Sequence, residues 1–152
     1  MTKEEYIQEI TVHKAMMYRI AFTILQNDSD VQDALQEAAL KAWEKRRTLK
    51  EPRYFRTWIT RILINACYDT QRKRRRFVSI EEIAEPQVAA PDISLAMALQ
   101  SLPEKLRLPL VLYYSEGLTY AEIAQALRLP QTPVRGRIHR AKGQLRKELD
   151  AE

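Results

Sequence analysis

Glycine is scarce in this 152-residue chain, at three residues, and cysteine occurs once, at Cys67. So little glycine excludes a collagen-like or low-complexity chain, and a lone cysteine excludes a disulfide scaffold and fits a reducing compartment. Histidine is limited to His13 and His139, in different halves of the chain, so the spacing of a zinc site is missing and no metal is expected. Long apolar runs are missing too. The longest, Leu108 to Tyr114, contains Pro109 and falls far short of the roughly 18 residues needed to cross a bilayer. Met1 to Ile10 shows no basic segment followed by an apolar core, so no secretory leader is expected and the chain is expected in the cytoplasm. No phosphate-cradling glycine loop, HExxH helix or nucleophile elbow occurs. The expectation is a protein with no cofactor, no small-molecule substrate and no enzymatic reaction of its own.

What the chain has is charge, unevenly spread. Residues 1–80 carry 16 Lys and Arg against 10 Asp and Glu, whereas residues 81–122 carry 2 against 7. From Arg128 to Lys147 seven basic residues occur with no acid among them. Two basic zones flanking an acidic middle suit a polyanion that touches both ends of the molecule.

Apolar residues repeat at helical spacing. Ile7, Ile10, Met17, Ile20, Ala21 and Ile24 predict one buried helix face ending near Asn27. Ser29 with Gln32 reads as a capping box before a second stripe of Val31, Ala34, Leu35, Ala38, Ala42 and Trp43. After Pro52, the residues Phe55, Trp58, Ile59, Ile62, Leu63 and Ala66 follow the spacing of a buried helix stripe closely, and that helix runs into Arg72, Lys73, Arg74, Arg75 and Arg76. Both tryptophans sit on these stripes and are expected in the core, and Cys67 beside them reads as a small, partly buried helix residue.

Pro86, Pro91 and unpaired Glu81, Glu82, Glu85 and Asp92 break the pattern. The reading is therefore all-α, with two small helical domains at 1–76 and 94–152 and an acidic linker at 77–93. In the second half Leu95, Ala98, Leu99 and Leu102 precede Pro103, which opens a helix with Leu106, Leu110, Val111 and Tyr114 inward and Pro109 inside it. Gly117 suits a left-handed helix end. Thr119 with Glu122 forms a capping box for a short helix burying Ile123, Ala124 and Leu127. A turn at Arg128, Leu129 and Pro130 follows, and Thr132 is the expected cap of a last helix with Pro133 in its first turn. Val134, Ile138, Ala141 and Leu145 form that helix's apolar edge; Arg135, Gly136, His139, Arg140 and Gly143 lie opposite. A short helix, a tight turn and a longer basic helix make a helix-turn-helix, whose second helix can enter a DNA major groove. Arginine there can donate two hydrogen bonds to guanine, while Arg128, Lys142 and Arg146 suit phosphates. An ordinary solvated helix in a bundle is the bland alternative.

The same segments resemble a bacterial sigma factor of the extracytoplasmic-function group, which keeps only sigma regions 2 and 4. "DVQDALQEAALKAWEK" resembles region 2.2 and "FRTWITRILINACYDTQRKRRR" regions 2.3 and 2.4. "SLPEKLRLPLVLYYSEGLTYAEIAQALRLP" with "VRGRIHRAKGQLRKEL" resembles region 4. The resemblance covers nearly the whole chain. It implies a transcription initiation factor that binds core RNA polymerase at the β′ clamp helices and the β flap, reads promoter DNA, helps to open it, and has an anti-sigma factor as a further partner. It implies polymerase contacts for Asp33, Gln36, Glu37 and Lys41. It implies minus 10 contacts for Leu49, Lys50, Arg61, Asn65, Asp69, Arg72 and Lys73, the loop and helix capturing a base flipped from the melting duplex. For the minus 35 element it implies Thr119, Arg135, Gly136, His139, Arg140, Lys142 and Arg146. Three departures stand out: Leu49 where members often have an aromatic residue, Arg128 where the turn glycine usually stands, and Thr132-Pro133 with Gly136 at the start of the recognition helix.

Overall fold

A computed structural model describes residues 1–77 and 93–150; within them the chain is helical throughout, apart from turns and caps, with no strand. The helices are α1 (Lys3–Leu25), α2 (Asp28–Glu44), α3 (Phe55–Phe77), α4 (Ile93–Ser101), α5 (Glu104–Tyr114), α6 (Tyr120–Leu127) and α7 (Gln131–Asp150). The chain divides into two compact units, Met1–Glu85 and Pro86–Glu152. Of the expected linker, 78–92 lie outside the described residues. Its two end residues, Phe77 and Ile93, are helical.

In the first unit α1, α2 and α3 each pack against the other two. The close approach of α2 follows from its buried stripe of Val31, Ala34, Ala38 and Ala42, since small side chains at a helix contact shorten the distance between axes. Phe55, Ile59, Leu63, Ile64, Ala66 and Cys67 of α3 are buried, and each large one is worth about 1.5–3 kcal/mol relative to exposure. Cys67 is thus fully rather than partly buried. The helix ends are satisfied individually. Thr2 and Glu5 form a capping box for α1, and Gln71 of α3 donates 3.2 Å to the Ile24 carbonyl at the other end of α1. The cap of α2 is Asn27, whose side chain accepts from the Asp30 N–H, not Ser29, which lies inside the first turn. Ile7 is 52% exposed and Tyr6 takes the expected core place, its hydroxyl donating to the Ala39 carbonyl.

In the second unit α5 packs against α6 and α7, and α4 against α7. Leu106, Leu108, Pro109, Leu110 and Leu112 of α5 are buried, while Tyr114 is 54% exposed. The sequence stripe missed Leu108 and Leu112 because α5 has neighbours on more than one side. Arg107 donates to the carbonyls of Gln100 and Leu102 at 3.2 Å, serving the open end of α4. Gly117 adopts φ +70° as expected. Thr119 and Glu122 form the expected capping box of α6. The last helix begins at Gln131, earlier than expected, so Thr132 and Pro133 both lie within its first turn and Thr132 does not cap it. Leu145 is only half-buried, and so is Leu127.

The turn between α6 and α7 is closed by Arg128 at φ 57°, a left-handed conformation that a side chain with a β-carbon adopts at a cost. Arg128→Gly should therefore raise the stability of this unit by up to about 1 kcal/mol, the relief of strain exceeding glycine's entropy. Thermal unfolding of the two proteins measures it; an unchanged or lower midpoint would show that strain at Arg128 does not exceed glycine's entropic cost.

Candidate functional site

Three surfaces carry the residues singled out by sequence. The first is the outer face of α2. Asp33 and Gln36 are exposed, Glu37 is half-buried, and all three border a cleft of about 720 Å³ completed by Asp30, Leu40, Thr70, Lys73 and Arg74. Helical spacing explains the grouping, since 33, 36, 37, 40 and 41 follow one another at the offsets of a single face. Leu40 was missed by stripe reading. It is 67% exposed on the polar face, opposite the buried alanines, and an apolar residue off the core stripe is the signal that finds it. Arg74 pairs with Asp30 across the cleft, joining α3 to α2.

Lys41 lies at the junction of this surface with the next. Its Nζ is 2.9 Å from Glu37 Oε1 and 2.9 Å from Asp69 Oδ2, and Asp69 also accepts from Arg72. The hydrogen bonds to Glu37 and then Asp69 raise the Lys41 ammonium above its ordinary pKa. Lys41's hydrogen bond, followed by the nearby charges of Lys41, Arg72 and Lys73, holds the Asp69 carboxyl below the usual range despite partial burial. Two residues expected on different interfaces thus form one ion-pair network tying α2 to α3.

The second surface is the loop from α2 to α3 with the first turns of α3. Two 3-10 turns, Arg46–Thr48 and Pro52–Tyr54, shape it. Arg46 stacks 4.0 Å from the Trp43 ring centroid and donates 2.9 Å to the Trp43 carbonyl. Trp58 is half-buried, and its indole N–H donates 2.9 Å to Thr48 Oγ1. Both tryptophans, expected in the core, are half-buried at its edge, where they anchor the loop. Leu49 is half-buried, and Lys50, Arg61 and Asn65 are exposed, as are Arg72 and Lys73 further along α3. Tyr54, 51% exposed under the guanidinium of Arg53, is an aromatic residue on this loop that the stripe analysis passed over.

The third surface is α7. Val134, Ile138 and Ala141 are buried, whereas Arg135, His139, Arg140, Lys142 and Arg146 are exposed and Gly136 is half-buried. Thr119 is exposed at the cap of α6. Three tyrosines support this face, of which Tyr113 and Tyr120 lie off the sequence stripes: their rings stack at 4.9 Å, and Tyr114 meets Tyr113 edge-on at 4.9 Å. Arg135 lies 5.3 Å from the Tyr120 ring centroid and Lys142 lies 5.0 Å from that of Tyr114, consistent with cation–π attraction. No spacing rule predicts these pairs, because they join α5, α6 and α7 across the turn. On the same unit, Leu95, Leu99, Leu110, Val111, Tyr114 and Leu145 line an apolar groove of about 430 Å³ between α4, α5 and α7. Among the described residues no group of three or more His, Cys, Asp or Glu could hold a metal ion, and no helix is long and apolar enough to cross a membrane.

Comparison with known proteins agrees in two places along the chain. The family models Sigma-70 region 2 and Sigma-70, region 4 match residues 10–77 and 92–145. The RNA polymerase sigma factor SigV of Bacillus subtilis (strain 168) is 30% identical over 157 residues, covering 99% of this chain and 95% of its own. The ECF RNA polymerase sigma factor SigW of the same organism is 27% identical, covering 97% and 90%. Among solved structures, the sigma factor RpoE of Bartonella quintana, in complex with the anti-sigma factor NepR, superposes with a TM-score of 0.82 at 23% identity, covering 98% of this chain and 99% of that one. CnrH, in complex with the cytosolic domain of CnrY, gives 0.75 at 25% identity, covering 99% and 91%.

The network at Lys41 makes a pH prediction. A carboxyl whose folded pKa is depressed stabilises the fold above its unfolded pKa, about 3.9, and loses that contribution as pH falls through the folded value. At neutral pH Asp69→Asn should be less stable than wild type by about 0.5–1 kcal/mol, the size for a partly exposed pair. Below about pH 4 the gap should close. Urea unfolding at both pH values reads it, and a gap that persists in acid would remove the carboxylate from the network's energetics.

Proposed function

The chain belongs to the extracytoplasmic-function group of RNA polymerase sigma factors and directs bacterial RNA polymerase to specific promoters at initiation, and from that premise we propose which surface performs each task. The observation that carries the assignment is the two-faced build of α7: Val134, Ile138 and Ala141 are buried, while Arg135, His139 and Arg140 are exposed on the opposite side. A helix with that division can lie in a major groove without losing its core contacts. Arg135 and Arg140 read base edges of the minus 35 element, Lys142, Arg146 and the exposed cap residue Thr119 hold the backbone, and His139 and Gly136 lie between them.

The face of α2 carrying Asp33, Gln36, Glu37, Leu40 and Lys41 takes the β′ clamp helices. An exposed leucine ringed by polar residues supports this reading, being an apolar anchor within a wet rim. The apolar groove between α4, α5 and α7 suits an apolar segment of the polymerase, which we assign to the β flap. Leu49, Lys50, Arg61 and Asn65 capture a base leaving the minus 10 stack, and Arg72 and Lys73 hold its backbone. Asp69, a carboxylate facing Lys41 and Arg72, holds those cations in place and does not itself approach phosphate. The chain supplies no catalytic group; the reaction is the polymerase's, and the place of action is the cytoplasm where polymerase works. An anti-sigma protein that covers these surfaces is a further partner, a reading supported by the solved complexes of RpoE and CnrH.

Run-off transcription with core polymerase on a promoter library tests the whole reading. A discrete set of promoters should be used only when the chain is added, and the absence of any chain-dependent start would overturn it. Two variants separate the surfaces. Asp33→Lys should leave stability within about 0.5 kcal/mol while weakening core-polymerase binding sharply. Asp33 is preferred over Glu37 because reversing Glu37 also places a second cation beside Lys41. Binding equal to wild type in a pull-down would remove α2 from the polymerase interface. Asn65→Ala should spare polymerase binding but reduce open complexes on duplex promoters, with recovery on a pre-melted minus 10 bubble, where unstacking is already accomplished. Permanganate footprinting reads this, and equal thymine reactivity on duplex DNA would exclude Asn65 from melting.

A further inference from the structure

Gly136 stands on the exposed face of α7 where it can make no side-chain contact with a base. A β-carbon built there would lie 3.3 Å from Arg140 Nη1 and 3.9 Å from Arg140 Cζ. Helical side chains lean toward the N-terminus, so residue 140 lies over the turn that holds residue 136. The Arg140 guanidinium therefore rests on the bare Cα of Gly136. Arg140 is exposed, and among the described residues it has no ion-pair or ring partner. The neighbouring arginine is placed differently, by the Tyr120 ring 5.3 Å away.

We propose that Gly136 is a positioning residue for promoter recognition: its missing side chain sets where the Arg140 guanidinium lies along α7, and so which base of the minus 35 element Arg140 can engage. The proposal rests on the reading that this face of α7 contacts DNA. Its physical basis is geometric. Two parallel hydrogen bonds to guanine O6 and N7 tolerate little displacement, because both N–H groups of a rigid fork must align at once. Any β-carbon at 136 brings a contact of 3.3 Å that the guanidinium must relieve by giving way a few tenths of an ångström, a displacement the two-bond geometry registers. Gly136 thus acts on DNA through Arg140.

The test uses holoenzyme reconstituted from core polymerase and the full chain, with selection from a library randomised at the minus 35 element. Four proteins are compared: wild type, Gly136→Ala, Arg140→Ala and the double variant. Arg140→Ala should relax preference at one base position by roughly fivefold or more. Gly136→Ala should change preference at that same position, and adding it to Arg140→Ala should change nothing further. Its melting temperature should not fall, because alanine favours a helix over glycine. Gly136→Ser carries the same β-carbon and should affect the same base.

The alternatives separate cleanly. If Arg140→Ala keeps the wild-type preference, the assignment of this face to promoter reading fails, and the proposal falls with it. If Arg140→Ala relaxes one position but Gly136→Ala and Gly136→Ser leave it untouched, that assignment stands and Gly136 does not position Arg140. If Gly136→Ala has the same effect with or without Arg140, the glycine serves close approach of the helix to DNA, which also overturns the proposal.

Discussion

The helical period of 3.6 residues is the constraint from which every surface of this protein follows. With almost no glycine and no strand pattern, each segment buries what that period turns toward its neighbours, and what lies off the buried face is fixed in space by what lies on it. On α2 the buried Ala34, Ala38 and Ala42 turn Asp33, Gln36 and Leu40 outward. On α7 the buried Val134, Ile138 and Ala141 do the same for Arg135, His139 and Arg140. A core substitution on either helix would rotate or loosen the opposite face, so core and binding surface are energetically one object.

Between the stripes, polar side chains connect elements that apolar packing alone leaves free to slide. Asp30 with Arg74, and Lys41 with Glu37 and Asp69, join α2 to α3. Trp58 and Thr48 fasten the loop that bears Leu49 and Lys50 to the helix that bears Arg61 and Asn65. Such partly exposed pairs contribute little stability each. Their effect is register: they keep a loop and two helices in a fixed relation, which the proposed joint engagement of polymerase and a flipped base requires.

The helix-turn-helix shows how departures from a familiar pattern are absorbed. Arg128 occupies the left-handed turn position without glycine's freedom, and Pro133 falls within the first turn of α7, where a missing N–H is harmless. Gly136 weakens the helix locally yet leaves space that the Arg140 guanidinium fills. Tyr113, Tyr114 and Tyr120 then brace the basic face from beneath, Arg135 and Lys142 each lying over an aromatic ring.

Much of this was legible in the residues. The period of the apolar positions predicts all-α structure, the stripes of α2 and α3, the capped α6 and the two faces of α7, because helix burial depends on local spacing that sequence states directly. The Thr119–Glu122 cap and the Gly117 turn are local in the same sense. Other features are not. Ile7 fits a buried stripe yet is exposed, because only the position of α2 decides that Tyr6 is the residue covered. Asn27 rather than Ser29 caps α2, a choice settled by which residue leaves the helical backbone. The union of Lys41 with Asp69 spans 28 positions, the Tyr120–Arg135 contact crosses a turn, and Leu108 and Leu112 are buried because α5 has neighbours on several sides. Each depends on where a second element lies, and that is settled by three-dimensional packing, which no spacing along one helix encodes.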